Sequence, residues 1–136
     1  MTRFDPSRVR DYYDRHTRAF VRLGEGRQSG AIHRAVWAPG VRNAEQAIHY
    51  VDDWIATAIR PLLEAGHPDL PPTHQHPIHV VDLGCGIGAT LVRLAQRLPI
   101  QGTGVTLSPV QARLAAHRLD AAGLSGRLSC IEADFC

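Results

Sequence analysis

Apolar positions follow two different periods along the chain, and the change from one to the other divides it. Ala44, Ala47, Ile48, Val51, Ile55, Ala58, Ile59 and Leu62 recur at three- and four-residue intervals, the spacing that lines one face of an α-helix. Asn43 stands where an N-cap side chain is wanted. Pro61 falls inside the pattern and is expected to kink or shorten its last turn. Tyr50 and Trp54 are expected to cover the apolar stripe or an interface. Upstream, Arg8–Phe20 (RVRDYYDRHTRAF) mixes charged and aromatic residues with rough helical spacing and predicts a shorter helix. The two are joined by a connector loosened by Gly24, Gly26 and Gly30, carrying His33 and Trp37 and turning at Pro39-Gly40. Past the long helix, AGHPDLPPTHQHP supplies four prolines and a glycine, a linker ending near Pro77.

From there short apolar runs alternate with helical patterns, as in consecutive strand–helix units of a parallel sheet. Strands are expected at His79–Leu83, Gly102–Leu107 and Arg127–Glu132. Between them, Ala89–Leu98 places Leu91, Leu94, Ala95 and Leu98 on one helical face. A second helix begins at Ser108, with Pro109 in its first turn and Gln111 completing a capping box, and stops near Gly123. The expected class is α/β, a Rossmann-like parallel sheet preceded by a helical lid segment. Residues 1–76 form the lid and linker, and residues 77–136 the sheet domain. No internal repeat, low-complexity tract or heptad array interrupts this order.

Composition narrows the class. With 136 residues, 44% hydrophobic and 21% charged, the chain suits one globular domain and not a disordered one. Its apolar runs span only a few residues, against the roughly 20 needed to cross a bilayer, and MTRFDPSRVR lacks a signal-peptide core. No stable membrane insertion and a cytoplasmic location are therefore expected. A charge of +2, from 15 basic and 13 acidic residues, does not make the cationic surface that phosphate backbones select, so no nucleic-acid partner is expected. Cys85, Cys130 and Cys136 show neither CxxC spacing nor a disulfide framework and are read as free thiols.

The chemistry concentrates in Val80-Val81-Asp82-Leu83-Gly84-Cys85-Gly86-Ile87-Gly88, a strand entering a loop with glycine at every second position and then a helix. Gly84 and Gly86 allow the backbone to approach a ligand closely, and the helix start favours a polar or negative group. The same residues would serve a tight turn whose glycines are needed only for packing. They would also serve a dinucleotide fingerprint ending at Ala89. A carboxylate at Asp82 is badly placed for a pyrophosphate and well placed for a cationic amino-acid group. The NAD reading also wants an acid about 20 residues beyond the loop, and the second strand ends at Thr106 instead.

Val80–Gly88 resembles the first motif of class I S-adenosylmethionine-dependent methyltransferases. Gly104–Gln111 (GVTLSPVQ) resembles the second cofactor segment of the branch that includes tocopherol and sterol methyltransferases and cyclopropane fatty acid synthases. Ile131–Cys136 (IEADFC) resembles the adenine-side motif, and AIHRAVWAPG more loosely the branch's lid. The resemblance implies S-adenosylmethionine as cofactor and a small-molecule or lipid-like methyl acceptor. It implies that Gly84, Cys85, Gly86 and Gly88 line the methionine part, with Asp82 supporting the amino group and His33 reaching in from the lid. Thr106 and Gln111 would serve the ribose side through neutral hydrogen bonds, with Leu107 and Ser108 between them also counted as cofactor-binding, and Ala133, Asp134 and Phe135 would serve the adenine. The resembled sheet has seven strands with the first one central. A chain with three is expected to be a fragment, to leave the first strand as an exposed edge, and to homodimerise through it. Catalytic turnover by this chain alone is not expected. Alternatives of other classes are a fragment of a nicotinamide-dependent oxidoreductase and a catalytically inactive binding or dimerisation module.

The remaining candidates have plainer readings. Cys85 fits between glycines as a small residue, without an identifiable base. His74, His76 and His79 make HxHxxH beside the linker but lack zinc spacing, so solvated loop histidines and no metal are expected. His33 either contacts the cofactor or acceptor or packs on Trp37.

Overall fold

Three parallel strands pair in the order β1-β2-β3. The computed structural model describes residues 5–23, 31–65 and 77–135. In chain order they form α1 (Pro6–Leu23), α2 (Ala44–Ala65), β1 (His79–Leu83), α3 (Ala89–Arg97), β2 (Gln101–Thr106), α4 (Pro109–Ala121) and β3 (Leu128–Glu132). Every strand expected from the sequence is present within a residue or two of its expected ends. His74, His76, Cys136 and the glycines at 24, 26 and 30 lie outside the described residues.

The register shows which residues share a face. Val80, Gly102 and Leu128 are paired across the sheet, as are Asp82, Gly104 and Cys130, and paired residues in parallel strands point to the same side. This side is covered: a Cβ at Gly102 would meet the side chains of Leu91 from α3 and Leu128 from β3. The core forms there, from Ala56 and Ile59 of α2, Leu91, Leu94 and Ala95 of α3, Leu119 of α4, and Leu98, Ile100, Leu124 and Leu128. The other side carries the row Val81, Thr103 and Ser129, in which the Thr103 and Ser129 hydroxyls lie 3.3 Å apart and His79 Nε2 reaches Thr103 from the neighbouring row at 2.9 Å. In the next row Leu83 and Ile131 flank the buried Val105 and are themselves 58% and 48% exposed. β1 pairs only with β2 among the described residues and is thus an edge.

Three details depart from the sequence expectation. Pro61 does not end α2, which continues to Ala65. The carbonyl that proline leaves without a helical donor belongs to Thr57, on an exposed turn where water can serve it. The buried stripe of α2 is also rotated: Ala47, Ile48, Asp52, Ala56 and Ile59 point inward, while Val51, Leu62 and Trp54 are 40%, 60% and 67% exposed. Trp54 therefore does not cover the core. Finally, Ser108 caps α4 by accepting from the Gln111 amide (3.1 Å), but the Gln111 side chain does not reach back to complete the box. Its Oε1 accepts from the Thr106 hydroxyl at 2.8 Å instead, and its Nε2 donates to Thr17 on α1 at 3.1 Å. A buried amide goes where both its ends are satisfied. The Asn43 cap forms as expected, accepting from the Gln46 amide at 2.9 Å.

Polar clasps fix the helices to the sheet. Arg127, at the start of β3, donates to the carbonyls of Leu98 (2.6 Å) and Ile100 (2.9 and 3.1 Å) between α3 and β2. Asp53 on α2 accepts from Arg93 at 2.9 Å and from Arg97, both on α3. Among the described residues no helix is long and apolar enough to cross a membrane.

A candidate cofactor site at the glycine loop

The loop after β1 is tied down by its backbone. The amides of Gly84 and Cys85 both donate to the Val105 carbonyl of β2 (2.8 and 3.0 Å), and that of Gly88 closes back on Cys85 (3.0 Å). Such a tight path from strand to helix needs left-handed backbone at each alternate residue, with φ of +82° at Gly84, +56° at Gly86 and +72° at Gly88. Side chains would be strained at all three. At Gly86 a side chain would also collide: its Cβ would stand 2.7 Å from Ile32 Cδ1. The connector thus lies directly on the loop. α3 then begins at Gly88 with no side chain capping it, leaving its first turn turned toward the loop.

Loop, connector and α2 enclose a cavity of about 310 Å³. Ala31, Ile32, His33 and Arg34 line it from the connector, Val51, Asp52 and Ile55 from α2, and Asp82, Gly84, Cys85, Gly86 and Ile87 from β1 and its loop, with Ala89 and Thr90 from α3. Two carboxylates face this space. Asp82 has its carboxyl raised above the ordinary range by burial and by the like charge of Asp52, with His33 partly offsetting. Asp52 is 2% exposed, and accepts from the Thr90 hydroxyl at 2.8 Å and from His49 Nδ1 at 3.1 Å. His33 Nδ1 lies 3.2 Å from the Arg34 carbonyl.

The residues picked out in the sequence fall into three places. His33, Asp82, Gly84, Cys85 and Gly86 share the cavity, with Gly88 at its α3 end. Thr106, Ser108 and Gln111 lie beyond it, buried under α1. There Ser108 Oγ donates to Asp14, the Val110 amide reaches the same carboxylate at 3.5 Å, and Thr17 closes the network on the Tyr13 carbonyl at 2.6 Å. Leu107 is half-buried beside them. Ala133 continues the sheet, its amide donating to the Thr106 carbonyl at 3.0 Å, and Asp134 and Phe135 follow on the surface. Sequence reasoning missed Asp52 and Thr90. The signal was available: Asp52 is four residues from both Ile48 and Ala56, a charge at the centre of a buried stripe.

The site suits one end of its expected cofactor well. A concave backbone with three left-handed glycines, closed to a Cβ at Gly86 and set beside two acids, favours close approach of a cationic amino-acid group, and a pyrophosphate would be repelled there. Comparisons with known proteins agree. Residues 80–136 match the family described as a methyltransferase domain. Over this segment the chain is similar to methyltransferases, and its sheet and helices follow the fold of a structural neighbour that aligns with nearly all of it.

The curated relatives that it resembles include methyltransferases named for small molecules. It is 37% identical over 65 residues to ajmaline N-methyltransferase from Rauvolfia serpentina, covering 48% of this chain and 22% of that enzyme. It is 45% identical over 55 residues to a probable tocopherol O-methyltransferase from rice (Oryza sativa subsp. japonica), covering 40% of this chain and 15% of that protein. Among solved structures, the [4+2]-cyclase SpnF aligns with a TM-score of 0.65 and 26% identity over 96% of this chain and 43% of its own. The chain spans less than a quarter of the length of the curated relatives it matches, and under half of that structure.

Proposed function

We propose that this chain binds S-adenosylmethionine and forms the cofactor half of an enzyme that methylates a small-molecule or lipid-like acceptor. The observation that carries the reading is the convergence of Asp82, Asp52 and the glycine loop on one cavity beneath the connector. The cofactor brings an activated methyl group on a sulfonium, so the protein's contribution is to hold donor and acceptor in line. Asp82 and the loop would hold the amino-acid end, and His33 and Ile32 would close over it. Thr106 and Gln111 would serve the ribose side after exchanging their mutual hydrogen bond, and Asp134 the adenine. Residues 1–76 act as lid and linker, and residues 77–136 as the cofactor-binding unit.

The similarity to ajmaline and tocopherol methyltransferases supports a small organic acceptor rather than nucleic acid. An odd count of three cysteines, without the spacing of a disulfide framework, supports a cytoplasmic setting. The edge of β1, with Val81 and Leu83 exposed beside it, supports pairing with a second copy. Calorimetric titration with S-adenosylhomocysteine and, separately, with NAD tests the cofactor assignment. Binding of the first alone is expected, and binding of NAD alone would overturn it.

A second reading has one observation behind it: the fold also occurs in a protein described as a cyclase. Cofactor binding and methyl transfer are therefore measured apart, the second by product formation against phenolic, prenyl and fatty-acyl acceptors. Little turnover by the isolated chain is expected, because positioning requires both reactants to be held.

A further inference from the structure

We propose that Cys85 and Cys130 are a redox-sensitive thiol pair, which a hydroperoxide converts to an intrachain disulfide that pulls the glycine loop out of its cofactor-ready shape. Their sulfurs lie 3.4 Å apart although the residues are 45 positions apart in sequence. The juxtaposition is built into the sheet. Cys130 on β3 is the register partner of Gly104 on β2. A Cβ at Gly104 would stand 2.6 Å from the Cys85 sulfur and 2.9 Å from its Cβ. The missing side chain on the middle strand is what lets the loop thiol settle onto the sheet and meet the thiol of the far strand.

The two sulfurs differ in the way such a pair needs. The Cys85 thiol, buried and hydrogen-bonded to Cys130, is pushed far above its ordinary range, and the same hydrogen bond holds Cys130 below it. Cys130 is the half-buried one, so the sulfur that gives up its proton more readily is also the more accessible. Its attack on a hydroperoxide breaks the O–O bond, leaving a sulfenic acid on Cys130 and releasing an alcohol, or water from hydrogen peroxide. Cys85 then attacks that sulfur, loses its proton, and expels hydroxide as water. Two thiols and one hydroperoxide give one disulfide, one alcohol and one water, with two electrons passing from sulfur to oxygen.

Bond formation must shorten the sulfur separation by about 1.3 Å, to the disulfide length of roughly 2.05 Å. β3 is held to β2 along its whole ladder, so the movement falls on the loop. There Cys85 is anchored by its own amide and by the Gly88 amide, and it lines the cavity. The consequence for the cofactor rests on the proposed function, whereas formation of the bond does not.

The test uses the chain carrying Cys136→Ser, so that only this pair remains, treated with hydrogen peroxide. Intact mass and peptide mapping are read beside calorimetric titration with S-adenosylhomocysteine before oxidation, after it, and after reduction by dithiothreitol. The expected result is loss of two hydrogens with a Cys85–Cys130 cross-link, an affinity at least tenfold weaker, and recovery on reduction. With Cys130→Ser added, no cross-link forms and peroxide leaves the affinity where it was. Oxygen addition at Cys130 without a cross-link, or a bond between two molecules, overturns the pair. A cross-link that leaves affinity unchanged overturns its effect on the loop. Failure of the reduced chain to bind S-adenosylhomocysteine overturns the proposed function, while the mass measurement still judges the pair.

Discussion

The hydroxyl of Thr90, in the first turn of α3, donates to the buried carboxylate of Asp52 on α2 at 2.8 Å. That contact joins the long N-terminal helix to the helix that starts at the glycine loop, and it holds a charge beside Asp82. Asp52→Ala would leave Thr90 and His49 without their acceptor. A stability loss of about 1–3 kcal/mol is expected, the range for stranding partly buried polar groups, and urea denaturation reads it. Asp52→Asn keeps an acceptor for Thr90 and should retain most of that stability.

Asp82 makes cofactor affinity depend on pH. Its carboxyl titrates above the ordinary range, because burial and Asp52 both disfavour the anion. The ammonium group of S-adenosylhomocysteine favours that anion, so affinity should rise with pH through this raised value and then level off. Folding moves the other way. In the window between the ordinary carboxylate value and the raised one, the folded chain keeps a proton that the unfolded chain has released, so stability falls as pH rises. Asp82→Asn should flatten both curves, and Asp52→Asn should shift the affinity curve to lower pH. Titration calorimetry across the acid range distinguishes these; an unchanged curve in Asp82→Asn would remove Asp82 from the site.

Gly86→Val should abolish S-adenosylhomocysteine binding in a chain that still folds, because a side chain there meets Ile32 and fills the cradle. Gly84→Ala and Gly86→Ala provide the internal comparison for stability. Both force a side chain into left-handed backbone, at about 1–2 kcal/mol, but a Cβ at Gly84 has nothing within 4 Å. Gly86→Ala should therefore melt lower, by differential scanning calorimetry, than Gly84→Ala.

At the far end of the site, Asp134→Ala should weaken S-adenosylhomocysteine more than its inosine counterpart. A carboxylate accepts from the exocyclic amino group of adenine and has nothing to accept from a carbonyl in that position. Equal losses for the two ligands, measured by competition, would assign Asp134 no part in reading the base.

Much of this architecture was already legible along the chain, because the signals are local. The alternation of short β-branched runs with helical stripes, the cap at Asn43, and the Ser108-Pro109 start of α4 each depend on residues within a turn of one another. So does the glycine loop, whose backbone needs are set by Gly84, Gly86 and Gly88 themselves. Relationships between distant segments were decided only by folding. Whether Gln111 closes its capping box or turns to Thr106 and Thr17 depends on α1 being packed overhead, which no local pattern encodes. Asp52 becomes part of the site because α2 is rotated to bury it against Thr90, and the apolar spacing alone placed Val51 and Leu62 inward instead. Cys85 and Cys130 meet because parallel register sets Gly104 between them, and an absent side chain on a middle strand has meaning only once its two neighbours are known.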